Sequence, residues 1–144
     1  MKLRNGERTE ERRVERETLL PAGPEEVWEA LTDEDWLSEW FAPEVELEPY
    51  EGGEIAVRDG EDERTGTVET VIEEERLSFT WQRPGGEPSR VDLIVEAIPA
   101  GTRLIVVETA AGPRGLAAAG PLAAASWASR LARLARGLAL APVA

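Results

Sequence analysis

The chain has no cysteine and no histidine. The first absence excludes disulfides, thiolate nucleophiles and zinc–thiolate sites. The second removes the commonest general base and metal ligand, and with it Ser-His-Asp and Cys-His catalysis. Lysine is nearly absent as well: Lys2 is the only one, and every other base is arginine. We read that as the coding bias of a GC-rich genome rather than as a functional signal. Aromatic residues are scarce, with five Trp, two Phe and one Tyr. No apolar run reaches the roughly 18 residues of a membrane span. The alanine-rich stretch near the end is broken by Gly120-Pro121 and then by Arg130, Arg133 and Arg136. The opening "MKLRNGERTEERR" lacks the apolar core of a signal peptide, so a cytoplasmic location is expected.

Acid is abundant. Asp and Glu number 29 against 16 bases, a net charge of −13 over 144 residues. Such a surface repels phosphate backbones and anionic membranes, so neither nucleic acid nor membrane is an expected partner. The length suits one domain with a core large enough to need no staple.

The order of elements follows from periodicity. In "RRVERETLLPA", Val14, Arg16, Thr18 and Leu20 share one face of a strand. Pro24 suits the first position of a helix, Glu25 and Glu26 suit its positive end, and Val27, Trp28 and Leu31 form its apolar side. Thr32 or Asp33 caps a second short helix to about Trp40, which Pro43 stops from continuing. Six strands follow, at about 44–49, 53–58, 64–73, 76–82, 89–98 and 102–109, separated by turn sequences such as "EGG" and "RPGGEP". Short connections make them antiparallel neighbours. In the last segment Trp127, Leu131, Leu134 and Leu138 recur at helical spacing with the arginines mostly opposite, and Pro121 is placed to start that helix. Sheet and helix each have one face to bury, and they bury it against each other.

The stretch "LPAGPEEVWEALTDEDWLSEWFAP" (20–43) resembles the entry segment of START-like (SRPBCC) domains. The closest branch is the one named after the activator of the heat-shock protein 90 ATPase. "GTRLIVVE" (101–108) and "SWASRLARL" (126–134) are similar to further pieces of that family, in the right order. The resemblance covers about 12–138 and implies an α+β helix-grip fold: a seven-stranded antiparallel sheet curved around a long C-terminal helix, with two short helices after the first strand. We assign one domain to 10–141 and expect 1–9 to fray. The family also implies a cavity between sheet and helix. Many members bind apolar or amphipathic small molecules, a few are cyclases or hydrolases, and the eukaryotic namesake is a co-chaperone. Two departures stand out: Ser126 where the family often has glycine, and a small, apolar 110–125.

On this reading the expected function is noncatalytic binding of a small apolar or amphipathic molecule, without cofactor or metal. The alternatives are a protein-interaction module or homodimer, and a cyclase-type enzyme that would rest on Arg16, Glu108 and Tyr50. The expected pocket residues are Arg16, Trp36, Trp40, Phe41, Trp81, Leu93, Val106, Glu108, Trp127 and Leu131. Trp36/Trp40 and Leu37/Phe41 are i, i+4 pairs; they read as core, or with Trp40 and Phe41 as a gate at the cavity mouth. Arg16 lies on the inner face of the first strand, which should pair with the last. There it would meet Glu108, or else turn outward at the edge. Gly120 and Ala123 would leave space over the sheet. The acids of "EGGE", "DGEDE" and "EEE" read as solvated turn charge, and "DGEDE" lacks calcium-loop spacing.

Overall fold

The computed structural model describes residues 13–110 and the helix 115–140, the latter with side chains for 126–139. The expected N-terminal fray at 1–9 lies outside the described residues. Strand β1 spans Arg13–Leu20, helix α1 Pro24–Thr32 and helix α2 Glu34–Trp40. Strands β2 (Glu44–Leu47), β3 (Glu54–Asp59), β4 (Asp62–Ile72), β5 (Arg76–Gln82), β6 (Ser89–Ile98) and β7 (Gly101–Ala110) follow, and helix α3 spans Gly115–Leu140. All strand pairs are antiparallel, in one sheet of order β1-β7-β6-β5-β4-β3-β2. The expected helix-grip architecture is the observed one.

The local reasons are those of the sequence. Pro24 opens α1 with Glu25 and Glu26 in its first turn. Asp33 serves two helices at once. Its backbone N–H closes α1 on the Glu29 carbonyl at 2.9 Å, and its carboxylate accepts the Asp35 N–H at 2.9 Å to open α2. Replacing it with alanine (Asp33→Ala) should therefore cost about 1 kcal/mol, read as a lower urea midpoint at unchanged slope.

Alternation decides the sheet. Leu104, Val106 and Glu108 of β7, Val91, Leu93 and Val95 of β6, and Leu77, Phe79 and Trp81 of β5 are buried on the concave side. Trp127, Leu131, Leu134 and Leu138 of α3 complete the same core. At the β6–β7 turn, Gly101 has φ 147°, and a β-carbon there would stand 2.1 Å from the Leu20 carbonyl oxygen. Only glycine fits that approach.

Helix α3 corrects one expectation. It begins at Gly115, so Pro121 lies within it rather than at its start. Alanines at 117–119 and 123–125 flank the proline. Alanine is the best helix former, and that propensity carries the helix through the one lost backbone hydrogen bond. The direction in which Gly120 and Ala123 face lies outside the described side chains.

Candidate functional site

Glu108 is the centre of the concave face. Its side chain is buried, with the residue 3% exposed. Each carboxylate oxygen is engaged. Oε1 accepts the Trp127 indole N–H at 2.8 Å, while Oε2 accepts the Trp81 indole N–H at 2.9 Å and the Ser89 hydroxyl at 2.6 Å. These donors come from α3, β5 and β6, so one acid ties three elements together. A carboxylate only accepts, which is why three neutral donors converge on it. The Arg64 guanidinium stands at the edge of contact, Nη1 4.0 Å from Oε2.

Around that acid the rings close-pack. Phe41 meets Phe79 at 6.4 Å, Trp81 at 5.7 Å and Trp127 at 5.6 Å between centroids. Trp81 lies nearly parallel to Trp127 at 6.3 Å. Offset and edge-on contacts of this kind add to plain area burial.

Two arginines border the rings. The Arg64 guanidinium carbon sits 4.7 Å from the centroid of Trp81. That of Arg130 lies 4.9 Å from Phe41, 5.0 Å from Trp127 and 5.9 Å from Trp81. Arg130 is 7% exposed. Its Nε–H donates to the Phe41 carbonyl at 2.9 Å, and the Arg133 Nε–H donates to the Trp40 carbonyl at 3.2 Å. The two arginines thereby satisfy carbonyls that the end of α2 leaves open, where a cation is also favoured by the helix dipole. Burial, and after it the Arg64 guanidinium, push Arg130 down to about 10, with Glu108 pulling the other way. Among the described residues Arg130 makes no ion pair.

Asp62 lies beside this group. It accepts from Arg83 Nε at 3.0 Å and stands 3.6 Å from Arg64 Nε. Desolvation acts to raise its carboxyl, but Arg83 and Arg64 together outweigh it and hold the group below its ordinary value. An open depression of about 530 Å3 at the tips of the β3–β4 and β5–β6 hairpins is lined by Glu61, Asp62, Glu63, Arg83 and Pro84.

The expected pocket residues divide accordingly. Phe41, Trp81, Glu108 and Trp127 come together in one cluster, and Leu93, Val106 and Leu131 are buried in the same core. Trp40 and Phe41 are each 1% exposed, so they do not stand at a rim as a gate would. Trp40 gives its indole N–H to the Ala30 carbonyl at 2.9 Å and fastens α2 to α1. Trp36 is half-buried beside Gly137 of α3.

Arg16 departs from expectation. It shares the inner face by register, lying opposite Val106, while Glu108 lies opposite Val14. Yet Arg16 is exposed and turns its guanidinium to the neighbouring Glu15 carbonyl. The strand is an edge, and water solvates the charge more cheaply than the core would. Tyr50 is likewise exposed. The cations near Glu108 are instead Arg64 and Arg130. The sequence signals both by spacing: Arg64 shares the parity of Gly66 and of the buried Val68 in β4, and Arg130 falls three residues after Trp127 and so borders the buried stripe of α3.

Among the described residues no group of three or more His, Cys, Asp or Glu is placed to hold a metal, and no helix is long and apolar enough to cross a membrane.

Comparison with known proteins agrees with this architecture. DynU16, from the dynemicin biosynthetic locus, superimposes with a TM-score of 0.81 at 28% identity, over 90% of this chain and 48% of that one. The chain thus spans about half the length of DynU16. Protein MLL2253 from Mesorhizobium loti gives 0.82 at 24% identity, over 92% of this chain and all of its own. The Aha1 dimer from Colwellia psychrerythraea gives 0.76 at 17% identity, over 89% of this chain and 96% of that one. No curated protein matches significantly. The family model described as activator of Hsp90 ATPase homolog 1-like protein matches residues 21–139, and the chain belongs to that family.

Proposed function

We propose that the protein binds a small amphipathic molecule between the concave sheet and α3, without transforming it. The observation that carries this reading is the buried charge. Glu108 and Arg130 lie among Phe41, Trp81 and Trp127, and each costs several kcal/mol to desolvate. An all-apolar core would hold the same fold at lower cost, so polar groups converging on an aromatic wall point to recognition. The origin of DynU16 in a biosynthetic locus supports a small organic ligand.

The test is native mass spectrometry of the protein purified from its own host. A bound organic molecule is the expected result. A bare polypeptide mass would count against the reading. The dimer described for the Colwellia relative favours a second reading, a self-associating interaction module. The same spectrum then shows twice the chain mass and no small molecule.

A further inference from the structure

We propose that Arg64 and Arg130 form the oxyanion end of this ligand site, where a carboxylate or phosphate on the amphipathic molecule is held beside the Trp81 ring. The inference rests on the small-molecule reading above and adds the chemistry of the ligand's polar end.

The two guanidiniums approach the same ring, Arg64 at 4.7 Å and Arg130 at 5.9 Å from its centroid. They are like charges held close together, and the carboxylates nearest them are committed elsewhere. Glu108 already accepts from Trp127, Trp81 and Ser89. Asp62 accepts from Arg83 at 3.0 Å and only approaches Arg64 Nε, at 3.6 Å. Arg130 spends its Nε–H on a backbone carbonyl, which leaves its two terminal nitrogens outside that bond. Arg64 Nε is buried with no acceptor within hydrogen-bond distance among the described residues, its ion-pair partner Asp62 standing 3.6 Å away. A buried donor left open costs free energy until something accepts from it. An oxyanion does so, removes the repulsion between the guanidiniums and matches their planar forks.

The surrounding charge sharpens the point. The sequence has no acid after Glu108, and Arg114, Arg130, Arg133 and Arg136 all follow it. In a chain of net charge −13, α3 carries three arginines and no acid, and of these Arg130 borders the aromatic wall. The acidic surface repels an anionic ligand at long range, so tighter binding of an anion than of its neutral analogue would have to arise locally.

The experiment titrates the full chain with decanoate, decyl phosphate and decanol, following tryptophan fluorescence and binding heat. The expected result is that at least one anion binds about tenfold or more tighter than decanol. Whichever anion wins identifies the group. Arg64→Met, at a partly exposed position, should bring the anion down to the decanol affinity. Arg130→Met should do the same, and Arg136→Met should leave the ratio unchanged. If all three probes bind equally, the oxyanion site is overturned and the small-molecule reading stands. If none binds, both are overturned. An anion preference that survives Arg64→Met and Arg130→Met also overturns the assignment.

Discussion

Glu108→Ala should lower the stability of the fold by about 3–5 kcal/mol, the range for removing one partner from a buried charged network. The melting midpoint should drop by roughly 10–20 °C. The substitution strands three donors that currently end on that carboxylate: the indole N–H groups of Trp81 and Trp127 and the Ser89 hydroxyl. Trp81 retains a weaker contact to Ser89 at 3.2 Å, while among the described residues Trp127 has Glu108 alone. The buried Arg130 also loses the nearby charge that favours its protonated form. Glu108→Gln should fall between wild type and Glu108→Ala. An amide keeps one acceptor oxygen but replaces the other with a donor, so it serves Trp127 or the Trp81–Ser89 side, not both. Thermal and chemical melts of the three proteins check the ranking. A Glu108→Gln protein as stable as wild type would show that the charge and the second acceptor contribute nothing.

Gly66→Ala should cost about 3 kcal/mol, the upper end for forcing extra atoms into a packed site. Gly66 lies opposite Ile55 on one side and Trp81 on the other. A β-carbon built there falls 1.8 Å from the Thr80 carbonyl oxygen and 2.7 Å from the Trp81 α-carbon. Both are backbone atoms, so no side chain can swing aside. Either β5 moves away from β4 or the strands part. The displaced residue is Trp81, so the damage should also be visible as altered tryptophan fluorescence. Gly60→Ala is the informative contrast. That glycine sits in a turn with positive φ and open space around its β-position, so its cost is confined to backbone strain of about 1 kcal/mol. Equal melting points for the two variants would refute the close-approach argument.

The fold could be read from the sequence because its signals are local. Alternation in "RLSFTWQ" and "GTRLIVVE" marks which side of each strand is dry, and the observed burial of Leu77, Phe79, Trp81, Leu104 and Val106 follows it. Asp33 and Pro24 announce their helices by residue type alone. The site was only half readable. Glu108 is legible as an acid on an apolar face, and of the two outcomes open to Arg16 the structure shows the outward one at the sheet edge. Register puts Arg16 two positions along β1 from Val14, the residue opposite Glu108, and register does not say whether a long side chain turns inward or toward water. Arg64 reaches Trp81 across neighbouring strands, and Arg130 reaches the Phe41 carbonyl 89 residues away. Periodicity within one element puts each arginine at the border of a buried face, but it does not name the distant partner. The lone glycine in "RTGTVE" is a sign of close backbone approach, but only the structure shows that β5 is the strand that presses on it.

The clamp that Arg130 and Arg133 place on the end of α2 also bears on the order in which the molecule takes shape. During synthesis β1 is made long before β7, the strand it pairs with. The sheet is complete once β7 has appeared, at residue 110. The carbonyls of Trp40 and Phe41 still have no donor then, because theirs lie at 133 and 130. Until those residues arrive, Trp127 is also missing from Glu108. Those contacts span 89 and 93 residues, so closing the end of α2 and covering Glu108 both depend on the last helix.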